Sequence, residues 1–260
     1  MTPPRVLLFG GLDPSGGAGL TVDATVVALH GASPLPVALA LTEQGRAAFR
    51  RSHAVAADVW RGALRAVLAD GPVHAVKVGL LADVATLRTL ASELAALAPA
   101  VPVVVDPVLS ATAGGYSPPA ELAAAYREHL LPRATLFTPN VPELAAVCAG
   151  DAQQALAAGA RAVLVKGGHA DGPQCTDTLC TARDRVVFAR ERLPVGPVRG
   201  TGCALASAIA CHLAVGATLA DACREAGDWL GQVLRTMGPP DPDGLPRPLP
   251  LARVPPRPAR

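Results

Sequence analysis

Short apolar runs recur along this chain, separated by stretches of helical character, and no other feature restricts its fold as strongly. The runs fall at 5–11, 36–41, 74–80, 101–105, 135–137 and 162–165. Each is short and apolar on successive residues, the pattern of a strand covered on both faces. Helices are predicted between them, over 19–29, 55–68, 84–97, 119–131 and 151–159, and two more over 202–215 and 219–236. A hairpin is predicted for 176–181 and 185–189 around Arg183-Asp184. Strands alternating with helices imply a three-layer α/β/α fold, with a mostly parallel central sheet and helices on both faces. Half of the residues are apolar but only 3% are aromatic, so the core must be built from Ala, Val and Leu. No internal linker interrupts 1–237, which reads as one domain. Residues 238–260 hold nine of the 26 prolines and are expected to form an extended or disordered tail able to pack on a neighbour.

Bulk charge excludes some functions. The formal net charge is +2, and the arginines of the tail account for it, so no basic face for nucleic acid is expected. The apolar stretch 203–220 is alanine-rich and interrupted by His212, which suits a buried helix better than a membrane span. Six cysteines, none in a C-x-x-C pair, and an N-terminus without a basic region ahead of an apolar run suggest reduced thiols in the cytoplasm.

Ligands of parallel sheets bind beyond the carboxyl ends of the strands, and Asp106, Asn140 and Lys166 each stand just past an apolar run. Asn140 and Glu143 form N-x-x-E at a helix start. With Asp106 they offer oxygen donors suited to Mg²⁺ and phosphate, although Asn140 equally suits a helix cap. A lysine ending a buried strand needs a partner, either a ligand phosphate or a carboxylate. Arg199-Gly200-Thr201-Gly202-Cys203 precedes a helix of small residues. Glycines admit close backbone approach, and a helix start attracts anions, so the turn is either a phosphate site or a packing loop. Gly11-Leu12-Asp13-Pro14-Ser15-Gly16-Gly17-Ala18-Gly19 is neither a Walker loop nor a dinucleotide fingerprint.

Taken together, these segments resemble the hydroxymethylpyrimidine/phosphomethylpyrimidine kinases of thiamine biosynthesis, within the ribokinase-like superfamily. The likeness rests on the 11–19 loop with Asp23, Lys77-Val78-Gly79, Asp106-Pro107-Val108, Thr138-Pro139-Asn140 with Glu143, Lys166-Gly167-Gly168-His169 and Gly200-Thr201-Gly202-Cys203, in family order. It implies a ribokinase-like fold and a homodimer. It also implies transfer of the ATP γ-phosphoryl group to 4-amino-5-hydroxymethyl-2-methylpyrimidine and then to its monophosphate. By position, Gly11, Asp23, Gln44, Leu80 and Val108 would surround the pyrimidine; Asn140, Lys166 and Thr201 would meet ATP; Asp106 and Glu143 would handle Mg²⁺. The amides of Gly200, Gly202 and Cys203 would form the anion hole. A side-chain amide at 44 suits an amine beside a ring nitrogen.

Departures from the family pattern accompany the likeness. Arg199 replaces a usual histidine and offers a fixed charge able to grip a phosphate. The loop 110–115 lacks the family's lysine, for which Arg199 is a candidate substitute. Gly45 stands where asparagine is usual, and a one-residue slip would present Glu43 instead of Gln44. A thiol at a helix start is expected to have a lowered pKa, making Cys203 either a proton acceptor or a space-filling residue. Pyridoxal/pyridoxine kinase, and a non-catalytic ligand-binding member of the fold, are the alternatives.

Overall fold

The computed structural model describes residues 2–109, 115, 118–168 and 172–255. Its centre is a nine-stranded sheet in the order β3-β2-β1-β4-β5-β6-β7-β8-β9. The parallel part comprises β2 (Ser33–Gln44), β1 (Arg5–Leu12), β4 (Ala75–Val78), β5 (Val103–Val105), β6 (Leu136–Phe137) and β7 (Ala162–Val165). Antiparallel strands close both edges: β3 (Phe49–Ala54) on one, and the hairpin β8 (Gln174–Thr181) and β9 (Arg185–Glu191) on the other.

Alternation along the central strands builds two cores. In β1, Val6 and Leu8 face one side while Leu7 and Phe9 face the other, all fully buried. The first side is covered by α1 (Gly19–Leu29), α7 (Thr201–Ala214) and α8 (Leu219–Arg235). Four alanines, Ala204, Ala206, Ala208 and Ala210, are buried along α7 beside Leu205 and Ile209. The second side is covered by α2 (Ala57–Ala69), α3 (Val84–Ala95), α4 (Glu121–Ala125), α5 (Val141–Cys148) and α6 (Ala152–Ala157). Here Trp60 packs edge-on against Phe9, with centroids 6.4 Å apart.

The helix expected over 119–131 is divided: α4 passes into a π-helical turn at Tyr126–Leu130 and a 3₁₀ turn at Leu131–Arg133. The C-terminal segment, expected to be extended or disordered, folds onto the domain as far as it is described. Its β11 (Arg247–Pro248) pairs in parallel with β10 (Val198–Arg199), and Leu249 and Leu251 enter the core of α1, α7 and α8. Among the described residues, no helix is long and apolar enough to cross a membrane.

Candidate active site

Parallel strands end at a common edge, and polar residues that follow β5, β6 and β7, namely Asp106, Asn140 and Lys166, gather there with Leu80 after β4 around one cleft of about 550 Å³. The turn before α7 forms part of its wall. Gly200 caps the helix with φ of 78°, a conformation that L side chains resist. A Cβ at this position would also lie 2.6 Å from the Gly17 carbonyl oxygen, so the turn is seated directly on the 11–19 loop. The Ala204 amide is the first to bond within the helix, to Gly200 O at 2.8 Å. The preceding amides, of Thr201, Gly202 and Cys203, have no intrahelical acceptor and carry the positive end of the helix dipole. All three residues line the cleft. A Cβ on Gly202 would meet Lys166 Nζ at 3.3 Å and Asp106 Oδ2 at 3.7 Å, so the bare backbone sits against the strand tips.

At those tips Lys166 Nζ donates to Asp106 Oδ1 at 2.6 Å and stands 3.8 Å from Glu143 Oε2. Of the two partners foreseen for a lysine here, the structure supplies carboxylates. Thr138 Oγ1 donates to Asp106 Oδ1 at 3.3 Å. Asn140 and Glu143 cap α5 reciprocally: Asn140 Oδ1 accepts from the Glu143 amide, and Glu143 Oε2 from the Asn140 amide, both at 2.8 Å. Asn140 is thus a helix cap and a cleft residue together. Burial pushes the Glu143 carboxyl up to about 6, although the Lys166 ammonium pulls it down. Among the described residues, no group of three or more His, Cys, Asp or Glu could cage a metal ion. Asp106 and Glu143, two carboxylates lining the cleft, are the residues that could hold Mg²⁺, which keeps water ligands and binds through one or two carboxylates plus substrate oxygens.

Gly11, Asp23, Gln44, Leu80 and Val108 line the same cleft as the tips and the turn. A Cβ on Gly11 would press on Leu80 Cδ2 at 3.1 Å, which keeps that wall flat. The pairing of β2 with β3 shifts between Glu43 and Gln44. Gln44 faces the cleft, while Glu43 lies exposed and bonds His53 Nε2 at 2.6 Å, so the contemplated slip does not occur.

Three side chains at this end have surroundings that the sequence did not show, the first of them, Asp23, within the cleft lining. Asp23 is fully buried and its carboxylate is engaged: Lys77 Nζ reaches both oxygens at 2.7 and 2.9 Å, and Ser207 Oγ donates at 2.8 Å. Burial works against both charges and raises the Asp23 carboxyl although Lys77 pulls it down, while Asp23, Cys203 and Asp106 together hold the lysine above its ordinary pKa. Lys77 received no role from sequence reasoning. Its signal was a lone lysine within Ala75-Val76-Lys77-Val78, which must find a counter-charge. Secondly, Cys203 is not the lowered-pKa thiol expected of a helix start. Burial raises it to about 11 despite the nearby Lys77 ammonium, so it is a neutral thiol near pH 7. Thirdly, Arg199 is not free to grip a phosphate, because its guanidinium is buried against Asp13 at 2.7 Å and Ser15 at 2.8 Å. His169 and positions 110–114 lie outside the described residues.

The chain is similar to known proteins over most of its length. The family profile described as phosphomethylpyrimidine kinase matches residues 13–241. The hydroxymethylpyrimidine/phosphomethylpyrimidine kinase of Mycobacterium tuberculosis is 38% identical over 252 residues, spanning 92% of this chain and 91% of the relative. The phosphomethylpyrimidine kinase structure from Clostridium difficile superposes with a TM-score of 0.77 at 26% identity, over 88% of this chain and 98% of its own. The ADP complex of Bacillus subtilis pyridoxal kinase reaches a TM-score of 0.83 at 24% identity, over 97% and 100% of the two chains, a likeness of fold. With its strand-tip carboxylates, its bare glycine turn and this match over most of its length, the chain is a ribokinase-like enzyme that belongs to the phosphomethylpyrimidine kinase family.

Proposed function

We propose that the cleft transfers the γ-phosphoryl group of ATP to the hydroxymethyl oxygen of 4-amino-5-hydroxymethyl-2-methylpyrimidine, and then to the phosphate so formed. The observation that carries this reading is the Gly200–Cys203 turn. It touches the 11–19 loop at Gly17 and the strand tips at Lys166 and Asp106, and it lines one cleft with Gly11, Gln44, Asn140 and Lys166. The names of the family and of its Mycobacterium tuberculosis member support the substrate.

In this mechanism Gln44 reads the ring through its amide, donating to a ring nitrogen and accepting from the exocyclic amine. Backbone amides at 201–203 neutralise charge on the moving phosphoryl group, and Lys166 adds a point charge on the nucleotide side. Asp106 and Glu143 would hold Mg²⁺, which offsets phosphate charge. A largely dissociative transition state asks little of a base, so a protonated Cys203 is compatible with the first step. In the second step the acceptor is already an anion, and a neutral thiol does not repel it. Asp23 acts on this centre by holding Lys77 charged, with its own oxygens already engaged. We place the enzyme in the cytoplasm as a homodimer, on the family resemblance and on six free cysteines.

A coupled ADP-release assay with the hydroxymethylpyrimidine, its monophosphate and pyridoxal tests this directly. Turnover of both pyrimidines over pyridoxal is expected. Preference for pyridoxal, or ADP release that ignores every acceptor, would reject the assignment.

A further inference from the structure

We propose that Arg199 is a positioning residue, which locks the 13–19 loop to the 200–203 turn so that the acceptor wall and the anion hole move as one unit. This rests on the kinase reading above for its kinetic consequence, but its physical basis is independent of it.

The contacts are buried and mutually dependent. Arg199 and Asp13 are 3% and 2% exposed. One guanidinium nitrogen donates to Asp13 Oδ2 at 2.7 Å and another to Ser15 Oγ at 2.8 Å. The other Asp13 oxygen accepts from the Ser15 amide at 2.9 Å and from its hydroxyl at 2.7 Å, which closes the loop on itself. Backbone follows the same path. A Cβ on Gly17 would come within 3.1 Å of the guanidinium, and one on Gly200 within 2.6 Å of Gly17 O. Two glycine-rich segments therefore touch without side chains between them, and one fork of hydrogen bonds fixes their relative height.

A buried ion pair is weak evidence for stability, since apolar packing of the same volume serves as well. Its directional content is what apolar packing lacks. A fork with two targets on one loop defines register between two segments that no sheet ladder connects. The consequence is chemical. Gly11 and Gly19 on one side, and Gly200 to Cys203 on the other, line the same cleft. A shift between them changes the approach of the acceptor to the phosphoryl group without altering either binding surface. Misplacement by about 1 Å can cost about 100-fold in rate.

The test combines kinetics with amide hydrogen exchange on Arg199→Met and Arg199→Lys. For Arg199→Met, kcat on both pyrimidines is expected to fall about 100-fold while KM for ATP changes by less than about threefold. Amides of 13–19 and 199–203 should lose protection together, with the β8–β9 hairpin unchanged. Arg199→Lys keeps the charge but cannot bond Asp13 and Ser15 in one fork, so it should recover part of kcat. Unchanged kcat in Arg199→Met, or protection lost in only one segment, overturns the proposal. If Arg199→Met does not fold, Arg199→Lys decides alone: a fall of about tenfold supports the lock, and wild-type kcat refutes it. Wild-type protein inactive on all acceptors would defeat the kinase reading, and the exchange measurement would still decide this one.

Discussion

The half-buried Cys203 and the fully buried Lys77–Asp23 pair carry the most testable chemistry. Cys203 is held protonated by burial, with a pKa of about 11. The thiol is the protonated form below that value, so alkylation by iodoacetamide should be slow near pH 7 and keep accelerating above pH 9. Mass spectrometry of the 203-containing peptide would follow it, and a rate that levels off near neutrality would restore the activated-thiol reading. Cys203→Asp should then spare the first phosphorylation more than the second, because a fixed carboxylate repels a phosphate acceptor more than an alcohol. Equal loss in both steps, measured with each acceptor, would remove that explanation. For the Lys77–Asp23 pair, both side chains are fully buried. Removing one partner leaves an uncompensated charge, so Asp23→Asn should cost about 3–5 kcal/mol in urea unfolding. The double replacement Lys77→Met with Asp23→Leu should cost less than the single one. A larger loss in the double variant would mean that packing, not charge, dominates there.

Elements differ in how clearly the sequence announces them. The parallel strands were legible because burial on both faces demands continuous apolar runs, and β7 and α1 fall at the expected bounds. The edge strand β3 was not, because Phe49-Arg50-Arg51-Ser52-His53-Ala54 is polar and borrows its order from β2. β10 and β11 are two residues each, too short for any periodicity. Cleft-lining residues were legible through their place after apolar runs, whereas the partners of Arg199 were not. Asp13 lies 186 residues away from it, and local pattern carries no distance information of that kind. Gly200→Ala meets both a left-handed φ of 78° and the Gly17 carbonyl at 2.6 Å. Gly216→Ala meets a φ of 84° with open space around its Cβ. Gly216→Ala should lose only about 1–3 kcal/mol of stability and keep its kcat. Gly200→Ala should in addition lose about 100-fold in kcat. Similar kcat values in the two variants would deny the turn its part in transfer.

For the whole molecule, the question is how a proline-rich tail comes to belong to the fold. Its proline content removes amide donors, and the structure accordingly asks it for a single short parallel pairing, Val198 with Arg247 and Arg199 with Pro248. Attachment comes from elsewhere. Leu249 and Leu251 are each 7% exposed within the α1, α7 and α8 core, and Arg247 donates to the carbonyls of Val195 and Gly238 at 2.8 and 2.9 Å. Arg46, two residues beyond Gln44 in the chain, bonds Asp241 at 2.9 Å and the Pro246 carbonyl at 3.3 Å. The segment therefore reaches from the chain just past β2 to β10, the strand that precedes the Gly200 turn. Magnitudes rank these contacts. The Arg46–Asp241 pair is about 40% exposed on both sides and contributes under about 1 kcal/mol. Each buried leucine is worth about 1.5–3 kcal/mol, partly offset by ordering the segment. Truncation after Met237 should thus lower Tm by about 5–10 °C, at about 2–4 °C per kcal/mol. Leu249→Ala with Leu251→Ala should reproduce most of that fall, and Arg46→Ala almost none of it. Calorimetry on the three variants measures the ranking directly. If Arg46→Ala matched the truncation, the tail would be held by its charges, and the leucines would be passengers on a surface that closes without them.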